Sequence, residues 1–232
     1  MNIDGISIVL CNLDMNKYEK VAYGLPPSEK KRIVQYWKIH TKYTVEEKQD
    51  RKEWFRNGER HRDGDLPAIE FACGTKKWFR NGERHRDGDL PAIEWSNGDK
   101  EWWKNGERHR DGDLPAKEYA NGDKSWWKNG EVHRDGDLPA VENANGSKEW
   151  YKNGELHRDG DLPAIEYISE GYKKWYTDGK LHRNEDLPAI VTNWGTYEWW
   201  KNGERHRDDN LPAVVWYNGK EWFKNGVRYY PS

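Results

Sequence analysis

The chain of 232 residues is poor in the side chains that usually fill a protein interior. Leu, Ile, Val and Phe together make up about 16% of it, below the roughly 20% at which disorder becomes the ordinary expectation. Cysteine is nearly absent. Cys11 and Cys73 cannot make a disulfide framework and suggest a reducing compartment, so the cytoplasm is the expected location. Neither sign of charge prevails: 39 Lys and Arg against 41 Asp and Glu leave −2. There is thus no electrostatic footprint for nucleic acid, and none is expected as a partner. No run approaches the roughly 18 apolar residues of a membrane span. The short apolar run from Ile6 to Cys11 has no basic residue before it and does not read as a signal peptide.

Aromatic residues are what the chain has instead: 15 Trp and 13 Tyr. With low net charge, that content argues against disorder. Apolar surface supplied by flat rings does not suit a two-layer sandwich around an aliphatic centre.

Internal repetition explains the composition. His61, His85, His109, His133 and His157 recur every 24 residues, followed by His182 after 25 and His206 after 24. A leading Trp occupies one slot eight times, at Trp54, Trp78, Trp102, Trp126, Trp150, Trp175, Trp199 and Trp222. Each unit contains an Asn-Gly pair (Asp178-Gly179 in one copy), the strongest short-range hairpin signal when flanked by aromatic and β-branched residues. A second turn centres on Asn97-Gly98 and its counterparts, and a Leu-Pro-Ala step marks a kink where proline removes a ladder donor. Two reversals per unit predict two strands per repeat. The expected fold is an all-β repeat, an elongated open antiparallel meander of stacked β-hairpins. One unit cannot fold alone, so each must cover its neighbour. Alternation places the leading Trp inside and the following aromatic on the second face, half exposed.

Residues 44–232 are expected to form about eight such units, and residues 1–43 an N-terminal cap. Ser28 after Pro26-Pro27 predicts a helix near 28–39, with Ile33, Val34 and Trp37 on one face. The alternative for this segment is a small adaptor module, because Ile8 to Asp14 followed by Tyr18 and Val21 resembles an F-box.

Several motifs invite a chemical reading. His61-Arg62-Asp63 and its copies match the HRD of a kinase catalytic loop, but the Gly-rich loop, Lys and DFG are missing, and six copies are not a catalytic constellation. Seven histidines in register suggest a metal ladder. Equivalent residues in adjacent repeats lie roughly 9.6 Å apart, however, too far for two imidazoles to share a zinc. Asp63-x-Asp65 falls short of a calcium site. No cofactor, no metal and no enzyme activity are expected. The histidines are read instead as structural, one ring nitrogen bonding a backbone or Asp oxygen. The slot that varies most holds Phe71, Trp95, Tyr119, Tyr167 and Trp216, with Asn143 and Thr192 in other copies. These rings are the candidate partner-binding residues, the rival reading being cross-strand packing.

The pattern Trp103-x-Asn105-Gly106-x-x-His109-x-x-Gly112, followed by a second Asn-Gly about ten residues on, resembles the MORN repeat over about residues 44–230. It is most similar to His-Arg, Leu-Pro-Ala variants in bacterial antitoxin-like and giant-virus proteins. The sequence departs from the family in having Glu101 at its first Gly, Arg110 after the His, and a longer unit. The resemblance implies a rod-shaped scaffold that binds a protein partner or its own copy, in the host cytoplasm if the chain is viral. Phospholipid binding occurs in some members, and a carbohydrate- or phospholipid-binding aromatic face is the alternative.

Overall fold

In the computed structural model, every near turn bends as its sequence predicts. The first residue of each pair (Asn57 and its counterparts, with Asp178) has φ between 47° and 53°, and the glycine after it between 72° and 87°. Both central residues are therefore left-handed, the geometry of a two-residue I′ hairpin. The far turns use the same dipeptide differently. From Gly74 to Gly195 only the glycine is left-handed there, and Gly219 is not; in the second of these turns the Gly98 N–H donates to the Trp95 carbonyl, and the Asn97 side chain accepts from the Asp99 N–H. This is a three-residue loop ending in a left-handed glycine, with asparagine chosen for its side-chain acceptor.

The structure describes residues 42–231, which contain no helix. The expected helix near 28–39, like most of the expected cap, lies outside the described residues. Two compact units are formed, Met1–Glu107 and Arg108–Ser232.

In the first unit, Tyr43–Glu47, Arg51–Arg56, Ile69–Phe71, Lys76–Lys77, Ile93–Glu94 and Lys100–Glu101 pair in succession, all antiparallel. In the second, Lys117–Glu118 begins an antiparallel series that continues through Lys124–Ser125, Val141–Glu142, Lys148–Glu149, Ile165–Tyr167, Tyr172–Lys174, Ile190–Thr192, Tyr197–Glu198, Val214–Trp216 and Gly219–Lys224.

The expectation of two strands per repeat needs refinement. Six of the near hairpins, such as Trp127–Lys128 with Glu131–Val132, are separate two-stranded ribbons, whereas the first and last continue from Arg51–Arg56 and Gly219–Lys224. In those six the break falls at the leading Trp as well as at Leu-Pro-Ala. The Trp126 N–H donates back to the Ala140 carbonyl, while its own carbonyl accepts from the His133 N–H, so the backbone changes partner at the indole.

Pleating separates two rows. On one face of the first unit, Glu47, Lys52, Glu70, Lys76, Glu94 and Lys100 stand directly opposite one another in turn, an unbroken alternation of sign. Such cross-strand pairs each contribute roughly 0.2–1 kcal/mol. On the other face, apolar residues alternate with the residue before the leading Trp, as in Ile69, Lys77, Ile93 and Glu101.

The interior is narrow. Ala68, Ala92, Ala116, Ala140, Ala164, Ala189 and Ala213 are all fully covered, and Trp78, Trp102, Trp126, Trp150 and Trp175 are 5–8% exposed. Trp54, Trp199 and Trp222 are half-buried, as is the following aromatic in all eight copies. The space behind the indoles is thus alanine-sized. Enlarging it, as in Ala140→Leu, is expected to cost about 1–3 kcal/mol, read as a lower urea midpoint at unchanged slope.

Candidate functional site

The leading Trp, the Arg of the His-Arg-Asp segment and an Asp from the preceding repeat form one joint. Arg134 stacks on Trp126 with its guanidinium carbon 3.8 Å from the ring centroid. Its Nε and Nη2 grip both oxygens of Asp113 at 2.7 and 2.8 Å, and its Nη1 donates to the Pro139 carbonyl and to Glu142. The Trp126 Nε1–H donates to the Asp113 carbonyl, closing the joint. The same bidentate grip recurs between Arg86 and Asp65, Arg158 and Asp137, Arg183 and Asp161, and Arg207 and Asp186. The arginine holds Asp113, Asp137, Asp161 and Asp186 below the usual carboxylate range.

The histidines make the second link. Nδ1 of His61, His85, His109, His133, His157, His182 and His206 accepts from the backbone N–H of the next repeat's turn, at Asn81, Asn105, Asn129, Asn153, Asp178, Asn202 and Asn225. Where that N–H is the nearest partner, Nδ1 accepts and the proton sits on Nε2, which faces the Asp two residues on at 2.9–3.1 Å; Nδ1 of His157 and His206 also lies 3.0 and 2.8 Å from side-chain oxygens of Asp178 and Asn225. His182 donates to the Asn184 amide oxygen instead, so the contact needs an acceptor and not a charge. Both ring nitrogens serve the array.

The variable aromatic slot is only partly open. Trp95 and Tyr119 are each 37% exposed, whereas Phe71, Tyr167 and Trp216 are half-buried. Trp95 and Trp103 donate to the two oxygens of the buried Glu101, and Tyr151 and Tyr167 both donate to Glu149. Lys77 lies over Phe71 and Trp95, and Lys117 over Tyr119. The Trp216 ring covers Gly219 so closely that a Cβ there would collide with it. The slot and the second aromatic thus lie on one sheet face, tied together at Glu101 and Glu149, each the residue before a leading Trp.

One feature of the near side escaped the sequence reading. Leu66, Leu90, Leu114, Leu138, Leu162, Leu187 and Leu211 are all 36–47% exposed. In the second unit three shallow grooves open between successive His-Arg-Asp segments, with volumes of about 440, 290 and 260 Å³. Leu114 and Leu138 line the first of them, beside the carboxylates of Asp111 and Asp135. Constancy of the leucine was visible in the sequence, but its exposure depends on where the loop places it.

Among the described residues no helix is long and apolar enough to cross a membrane. The chain matches no protein-family model, and no curated protein matches it.

Proposed function

We propose that the protein is a non-enzymatic, MORN-like repeat scaffold that works in the cytoplasm by presenting its faces to a protein partner. The observation that carries this reading is the repeated joint. Of the side chains that resemble catalytic groups, the His and Arg of each unit are bonded to neighbouring repeats and the Asp to its own unit's His, so the residues free to differ between units lie on the sheet faces and far turns. Such an array holds partner contacts at a fixed pitch on a framework stiffened by stacked rings.

Binding tests separate this reading from the sugar- or lipid-binding one, which draws on the exposed rings of Trp95 and Tyr119. Affinity capture from the native cytosol after cross-linking is expected to yield a stoichiometric protein partner, or the protein's own copy. Glycan arrays and flotation with phospholipid vesicles are expected to give no retention. Retention on either, with no protein captured, would overturn the scaffold.

A further inference from the structure

The repeats supply an internal control that exposes one departure. In the second unit the charged row runs Glu118, Lys124, Glu142, Lys148, Glu166, Lys173, each opposite the next or joined through one repeat, and then changes to Val191, Tyr197 and Val215 before Lys220. The far turns change with it. Where earlier repeats have Ala120 and Ala144, the later ones have Ile168 and Tyr217, and Trp194 stands where others have Asn. Ile168, Trp194 and Tyr217 are 64%, 63% and 97% exposed, and Tyr197 is 39% exposed. The earlier repeats fold with small or charged residues at these places, so the framework does not demand the apolar ones. Clustered exposed apolar groups of this kind mark an interaction site.

The same change strips carboxylates from cations. In earlier repeats the stacked arginine also binds a Glu eight residues on: Arg62 with Glu70, Arg86 with Glu94, Arg110 with Glu118 and Arg134 with Glu142, at 2.8–3.1 Å. Arg183 and Arg207 have Val191 and Val215 at that position. Among the described residues they retain their Asp and Pro partners, and the Glu contact has no counterpart. Lys173 and Lys220 stand directly opposite the two valines, on the side where a Glu would have faced them. The patch is therefore apolar at its centre and bordered by four cations that have lost one carboxylate neighbour each.

We propose that this patch binds an acidic, apolar peptide segment of a partner protein. Carboxylates of the segment replace the missing Glu side chains at Arg183 and Arg207, roughly 9.6 Å apart if the repeat spacing is twice the strand spacing. Its apolar side chains pack on Val191, Tyr197 and Val215, with Trp194 and Tyr217 at the margin. Charge-assisted Arg–carboxylate bonds fix register, and the rings supply contact area.

This site rests on the scaffold reading but is tested without it. The probes are short fluorescein-labelled peptides with two Glu among Leu and Ser, at each spacing from i, i+2 to i, i+7, beside matched peptides with Gln or Lys for Glu. At least one Glu peptide is expected to bind about tenfold more tightly than its Gln counterpart, with the Lys series weakest. The Val191→Glu/Val215→Glu double variant restores the residues the earlier repeats have, so it is expected to fold, and to lose this binding about tenfold. No preference for Glu over Gln, or equal binding by the double variant, would overturn the site. So would a native partner captured equally by both proteins, an outcome that leaves the scaffold standing. Failure to capture any partner counts against the scaffold alone.

Discussion

Trp126→Ala is expected to destabilise the second unit by about 3–5 kcal/mol, the range for emptying a buried aromatic site. Trp126 is 6% exposed, and its removal leaves a gap beside the fully covered Ala140, whose carbonyl accepts from the Trp126 N–H. It also frees the Asp113 carbonyl and uncovers the Arg134 guanidinium, whose side chain is 12% exposed. Arg134→Ala alone is expected to cost about 2–3 kcal/mol, because a half-exposed carboxylate at Asp113 and a carbonyl at Pro139 lose a partner that water replaces only in part. The informative quantity is the cycle. If ring and guanidinium act as one joint, the double variant is less destabilised than the sum of the singles by about 1–2 kcal/mol. Urea denaturation of the four proteins measures this. Strict additivity would reduce the stack to coincidental proximity.

Most of the architecture was legible because it is encoded locally and repeated. The Asn-Gly turns, the leading Trp that is buried in five of the eight repeats, and the antiparallel meander each follow from the chemistry of a few adjacent residues. What the sequence concealed depends on contacts between units. The break of the strand at Trp126 is invisible in alternation, because it comes from one residue donating to Ala140 and accepting from His133. The grip of Arg134 on Asp113 spans 21 residues and lies over the Trp126 indole.

The candidate site was less legible. Phe71, Trp95, Tyr119, Tyr167 and Trp216 drew notice because their slot varies, and the structure ties Trp95 and Tyr167 to carboxylates and places lysines over Phe71 and Tyr119. The change at Val191, Tyr197 and Val215 was present in the same columns of the repeat. Its meaning required the register, which shows that these three positions continue a charged row, and the arginine contacts that the earlier glutamates make.

Acid is expected to weaken the first unit in part through the carboxylate of Glu53. Glu53 is fully buried in the row before the leading Trp. Burial pushes its carboxyl upward, but hydrogen bonds from Lys48, Arg51 and Arg60 at 2.8, 2.6 and 3.0 Å outweigh that and hold it at about 2, against 4.5 when unfolded. A group held down in the folded state contributes its stability above the unfolded value and loses it as pH falls toward the folded one. The window is therefore pH 4.5 to about 2. Linkage alone gives about 3 kcal/mol, and screening of three partly exposed cations reduces it to about 2 kcal/mol. Glu53→Gln is expected to be less stable than the parent by that amount near neutral pH and to converge with it as pH falls to 2 and below, where the parent's own carboxyl takes up its proton. Urea midpoints across the range measure the gap. A constant difference would mean that Glu53 titrates alike in both states and that the three cations do not hold it.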